Sequence, residues 1–171
     1  DGLQDVYLAG NLVGDKIYRN EGALKFIDLT QESGIIDDGS WSSGVSIADV
    51  NNDGLVDIYV SKELYDDNPG LRKNKLYINM GNFKFIEAAQ QWGVDVSART
   101  RHAVFFDYNN DGLLDLYLLN QPPNPGNYSK FFGADLTLPE YSLQLFKNTG
   151  NNNFLDVTKE AGLFRTGFPN A

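Results

Sequence analysis

At 171 residues and 42% hydrophobic composition the chain can bury a core, and the usual length prior gives it one domain. Its net charge of −9, with 14 Lys and Arg scattered and no basic stripe, argues against a nucleic-acid-binding face. There is no cysteine, hence no disulfide or thiolate metal site and no bar to an oxidising compartment, and no apolar run reaches the roughly 18 residues of a membrane span.

The chain opens on Asp1-Gly2-Leu3-Gln4-Asp5, with no starting Met and no basic-then-apolar leader, which reads as a piece of something longer. Ile17-Tyr18-Arg19-Asn20 follows, then Gly22, Phe26, Ile27-Asp28-Leu29-Thr30 and Gly34. The same order returns as Leu76-Tyr77-Ile78-Asn79, Gly81, Phe85, Ile86-Glu87-Ala88-Ala89 and Gly93. It returns again as Leu145-Phe146-Lys147-Asn148, Gly150, Phe154, Leu155-Asp156-Val157-Thr158 and Gly162. A register kept three times is an internal repeat, and it overrides the single-domain prior. The units fall at 1–34 (partial), 35–93 and 94–162, and 163–171 resembles the approach to a further one.

Within a unit the pattern is short, β-rich and punctuated by turns. Val45–Ala48 and Ala103–Phe106 predict a first strand, Asp57–Val60 and Asp115–Leu118 a second. The Leu-Tyr-Ile-Asn segment predicts a third, and Lys84–Glu87 a fourth after an Asn-x-Gly turn. The expected fold is all-β: about three four-stranded antiparallel β-propeller blades, a partial propeller cut from a larger one. Ala88 to Trp92 and Lys159 to Ala161 have room for one helical turn each, and no stretch holds a 3.6-residue period for long.

Between the first two strands stands Asp49-Val-Asn51-Asn-Asp53-Gly54-Leu55-Val-Asp57, repeated as Asp107-Tyr-Asn109-Asn-Asp111-Gly112-Leu113-Leu-Asp115. Side-chain oxygens fall at positions 1, 3, 5 and 9, a glycine at position 6 permits a sharp bend, and the carbonyl of Leu55 or Leu113 adds a donor at position 7. An all-oxygen set with loose geometry suits calcium better than magnesium. Asp1, Leu3 and Asp5 match positions 5, 7 and 9 of a truncated first copy. Two calcium ions would bring −9 to −5. EF-hand or dockerin-like modules require helices beside such a loop, and the EF-hand wants a Glu at position 12, where Val60 and Leu118 stand within a β pattern.

Taken together these blocks resemble the FG-GAP or VCBS repeats of calcium-binding β-propellers, as in the integrin α-subunit head. They are most similar to those of bacterial secreted proteins that carry an ASPIC/UnbV segment, although no such segment is visible. The resemblance implies metal ligation by Asp49, Asn51, Asp53, Leu55 and Asp57 and by Asp107, Asn109, Asp111, Leu113 and Asp115. Extracellular calcium modules bind at roughly 10⁻⁴–10⁻³ M, which places the protein outside the cell, at its surface or in the periplasm.

Only one connection varies in length. From the last loop Asp to the third-strand Asn the chain runs Asp5 to Asn20, Asp57 to Asn79 and Asp115 to Asn148. In an up-and-down blade that connection emerges opposite the metal loops, so Tyr65, Arg72, Tyr128, Phe131, Phe132 and Tyr141 are candidates for a ligand face. Tyr7, Tyr59 and Tyr117 read as packing between blades, and His102 lacks a partner for catalysis. The expectation is a non-enzymatic binding or adhesion module for a protein or polysaccharide, completed by the remaining blades of its parent propeller. The alternative is a scaffold domain of a secreted polysaccharide-processing enzyme.

Overall fold

The computed structural model describes residues 2–65, 67–121 and 142–164. Three antiparallel sheets follow one another, each wound up and down in chain order. The first holds β1 (Val6–Leu8), β2 (Lys16–Asn20) and β3 (Phe26–Asp28). The second holds β4 (Trp41–Ala48), β5 (Asp57–Glu63), β6 (Lys75–Asn79) and β7 (Phe85–Glu87). The third holds β8 (Arg99–Phe106), β9 (Asp115–Gln121), β10 (Gln144–Asn148) and β11 (Phe154–Asp156). This is the expected all-β, blade-like architecture.

The first and second strands run longer than the hydrophobic pattern predicts. Trp41–Gly44, with its two serines, pairs with Ser61–Glu63, and the ladder slips at a bulge between Ser42 and Gly44, repeated between Thr100 and His102. A Cβ on Gly44 would lie 3.0 Å from the Arg101 carbonyl oxygen of β8, so a larger residue there would need the neighbouring strand to give by a few tenths of an ångström. Single helical turns, α1 (Thr30–Ser33) and α2 (Ala89–Trp92), follow the fourth-strand positions, and a 3₁₀ turn, Pro69–Arg72, lies between β5 and β6. Residues 159–161 form turns.

Both faces of the middle sheet's central strands, β5 and β6, are buried, and the period of two decides which neighbour each residue meets. Ile58, Val60 and Tyr77 pack toward the first sheet with Ile17 and Ile35. Tyr59, Leu76 and Ile78 pack toward the third with Leu116, Leu118 and Phe146. Tyr59 sets its ring edge-on against Phe105 of the next sheet, 6.0 Å between centroids, and donates its hydroxyl to the Val94 carbonyl at 2.9 Å. Tyr117, at the matching position of the third sheet, sets its ring 6.5 Å from that of Phe106 in the adjacent strand.

Candidate metal centre

The turn 49–56 joins β4 to β5, and 107–114 joins β8 to β9, so strands flank both loops and the helical calcium modules are set aside. The β6–β7 turn at Gly81 lies beside Leu55, at the same end of the sheet. The β5–β6 connection, with Tyr65 and Arg72, lies at the opposite end. Tyr128, Phe131, Phe132 and Tyr141, like Asp1, fall outside the described residues.

Each loop is folded by its own acidic side chains. Asp49 accepts the N–H groups of Asp53 (3.1 Å) and Gly54 (2.8 Å), one on each oxygen. Asp53 accepts the Leu55 N–H at 2.8 Å and the Asn51 amide at 2.8 Å, and Asn51 Oδ1 accepts the Asp53 N–H at 3.1 Å. Asp57 accepts the N–H of Val50 (3.0 Å) and of Asn79 (2.8 Å). The second loop reproduces every bond, with Asp107 holding Asp111 and Gly112, Asp111 holding Leu113 and Asn109, and Asp115 holding Tyr108 and Asn148. Glycine at position 6 takes a positive φ as expected (+85° and +84°), and position 4 does so too, at Asn52 (58°) and Asn110 (57°). Asparagine is the residue besides glycine that tolerates that region best.

All six carboxylate oxygens of the first loop therefore accept a hydrogen bond, and each keeps a lone pair for a cation. Burial pushes the Asp57 carboxyl above its ordinary range; the N–H groups of Asn79 and Val50 oppose this, and the charges of Asp53 and Asp49 add to it. Asp115 is raised for the same reasons in its own loop. In contrast, the Asn109 amide, the Leu113 N–H and Lys147 hold Asp111 low; the Lys147 ammonium is 3.3 Å away. Among the described residues, no three Asp, Glu, His or Cys side chains converge into a ready-made metal cluster. The donors present are all hard oxygens crowded with like charge, and their chemistry fits a calcium-type ion.

An asparagine at the end of each third strand is the partner that motif reading overlooks. Asn79 gives its N–H to Asp57, donates its side-chain amide to the Val56 carbonyl at 3.0 Å and accepts the Gly81 N–H at 2.9 Å. Asn20 repeats this with Asp5, Gln4 and Gly22, and Asn148 with Asp115, Leu114 and Gly150. The truncated first site thus keeps the position-9 contact. Asn148 also donates to the Val50 carbonyl at 2.9 Å, and Asn52 to the Gly112 carbonyl at 3.3 Å, so neighbouring loops touch. The signal for these asparagines was the aligned Asn column itself.

Comparison with curated proteins finds no match. The model of the FG-GAP-like repeat matches residues 1–60 and 65–118, each stretch ending just beyond one of the two complete loops. That match spans most of the chain, and with three successive antiparallel sheets it establishes that the chain belongs to the FG-GAP-like repeat family.

Proposed function

We propose that the chain is a calcium-stabilised, extracellular β-propeller module without catalytic activity, which binds a protein or polysaccharide through the loops opposite its metal end. The observation that carries this reading is the identical hydrogen-bond set of the two acidic loops, both at one end of adjacent sheets. Asp49, Asn51, Asp53, Asp57 and the Leu55 carbonyl would hold one ion, and Asp107, Asn109, Asp111, Asp115 and the Leu113 carbonyl another. Calcium would neutralise carboxylates that burial and mutual repulsion disfavour. Its role is to fasten the strand-one to strand-two hairpins, not to activate substrate, because the side chains are committed to the loop. Support for an extracellular setting comes from the millimolar affinity typical of such modules, and no helix among the described residues is long and apolar enough to cross a membrane.

The test is thermal melting with calcium and with chelator, followed by glycan and protein-array binding. Two sites filled in millimolar calcium should each add about 1–2 kcal/mol. Melting that ignores chelator ends the metal assignment, and turnover on a hydrolase panel that Asp53→Ala abolishes ends the binding-module reading.

A further inference from the structure

At the end of the sheets opposite the acidic loops, a buried line of polar side chains crosses all three sheets. Asp15 accepts the Gly10 N–H and the Ser42 hydroxyl, both at 2.7 Å, and the Tyr7 hydroxyl at 2.8 Å. Lys62 donates to Ser42 at 2.7 Å and faces Asp15 at 3.4 Å. The Lys62 N–H donates to Asn74 at 2.8 Å, Asn74 donates to the Thr100 hydroxyl at 2.8 Å, and that hydroxyl donates to Asn120 at 2.9 Å.

In the repeat register these are two copies of one triad. Asp15 and Asn74 each stand immediately before their sheet's third-position strand, Ser42 and Thr100 at the bulge of the next sheet's first strand, and Lys62 and Asn120 opposite them in the second. The boundary between the first and second sheets carries a carboxylate, a hydroxyl and an ammonium. The next boundary carries an amide, a hydroxyl and an amide. Asp15, Ser42 and Lys62 are each no more than 4% exposed, so the Ser42–Lys62 contact, which has the form of a nucleophile and base, is sealed from any substrate.

We propose that the charged triad selects which blade sits beside which, so that the first blade docks on the second and not on the third or on another copy's second blade. If the first blade met the third, Asp15 would face Thr100 and Asn120 and lack its ammonium. If a second blade met a second blade, Lys62 would face Asn74 and lack its carboxylate. Either error leaves one charge buried without its partner, which is the costliest fault a packed boundary can carry. Tandem repeats with like cores need such a device, because misassembly and swapping are their characteristic failures.

The experiment uses the whole chain. Asp15→Asn alone should lower the melting temperature by roughly 10 °C, since it leaves Lys62 unpaired. Asp15→Asn/Ser42→Thr/Lys62→Asn gives both boundaries the neutral triad. It should melt within about 3 °C of the parent yet refold at high protein concentration with a several-fold larger share of dimers and higher assemblies. Asn74→Asp/Thr100→Ser/Asn120→Lys gives both boundaries the charged triad and should misassemble likewise. The proposal is overturned if Asp15→Asn is silent, or if the uniform variants refold as cleanly as the parent. Failure of both uniform variants to fold also overturns it, because the two boundaries would then not be equivalent.

Discussion

The carboxylate of Asp57 reaches 22 residues along the chain to accept the backbone N–H of Asn79 at 2.8 Å, while its other oxygen holds the Val50 N–H. Asp57 is 1% exposed, so removing its carboxylate leaves two strand-end donors short of a partner. Asp57→Ala is therefore expected to cost roughly 3 kcal/mol or more even in chelator. Asp49 and Asp53 hold only exposed loop N–H groups that water can satisfy, so Asp49→Ala and Asp53→Ala should cost under about 1 kcal/mol in chelator. Their penalty should grow only when calcium is added. Melting the three variants with and without calcium checks the ordering, and equal losses in chelator would remove the distinction between clasp and ligand.

The two complete loops are not electrostatically alike. Lys147 lies 3.3 Å from Asp111, and the aligned position beside Asp53 is Ile78. A fixed ammonium competes with a cation for the same oxygens, so the loop at 49–57 should fill first. Lys147→Ala should tighten the second step by roughly two- to five-fold, as expected for a partly exposed pair. Calorimetric titration reads both steps, and identical steps in the parent would refute the asymmetry.

The loops were legible in the sequence because their partners are near neighbours: Asp49 folds onto Asp53 and Gly54, and residue type at fixed spacing states that geometry. The sheets were legible because the repeat aligned three copies. The β4 extension over Trp41–Gly44 was not, since its polar residues pair with a strand that a hydrophobic pattern ends at Val60. The Asp15–Lys62 contact was invisible for a different reason. Its members are 47 residues apart and look like ordinary solvated charges, and only the structure shows both buried. The clue available was that Asp15 aligns with Asn74, and Lys62 with Asn120, in the same register that aligned the loops.

Asp38, in the linker before β4, pairs with Lys75 of β6 at 2.8 Å and accepts the Ser40 N–H at 3.1 Å. Burial works to raise its carboxyl, but the Lys75 and Ser40 hydrogen bonds and the Lys75 charge win and pull it down to about 2 from 3.8. A folded-state value below the unfolded one means that the stabilisation is complete above pH 3.8 and fades as pH falls toward 2. Because the Asp38–Lys75 pair is partly exposed and screened by solvent, the size is about 1 kcal/mol. Asp38→Asn should remove it at neutral pH, and the gap between parent and variant in denaturant melts should close across that acid window. A gap that persists below pH 2 would place the loss in packing.

The glycine that closes each unit tests how closely the blades approach. Gly34 and Gly93 follow α1 and α2 with φ of +87° and +76°, where any side chain is strained by about 1–2 kcal/mol. Position by position the surroundings then differ. A Cβ on Gly34 would stand 2.5 Å from the Phe85 carbonyl oxygen of the next sheet, one on Gly93 would stand 3.2 Å from that of Phe154, and one on Gly162 would meet no described atom. Backbone oxygens in a paired strand cannot swing aside as a side chain tip can, so Gly34→Ala must push two sheets apart. The expected losses fall in the order Gly34→Ala, Gly93→Ala, Gly162→Ala. The first should lose about 3 kcal/mol or more, and the last only the backbone strain. Chemical denaturation of the three variants checks this, and equal losses would mean that φ alone selects glycine there and that contact between sheets does not.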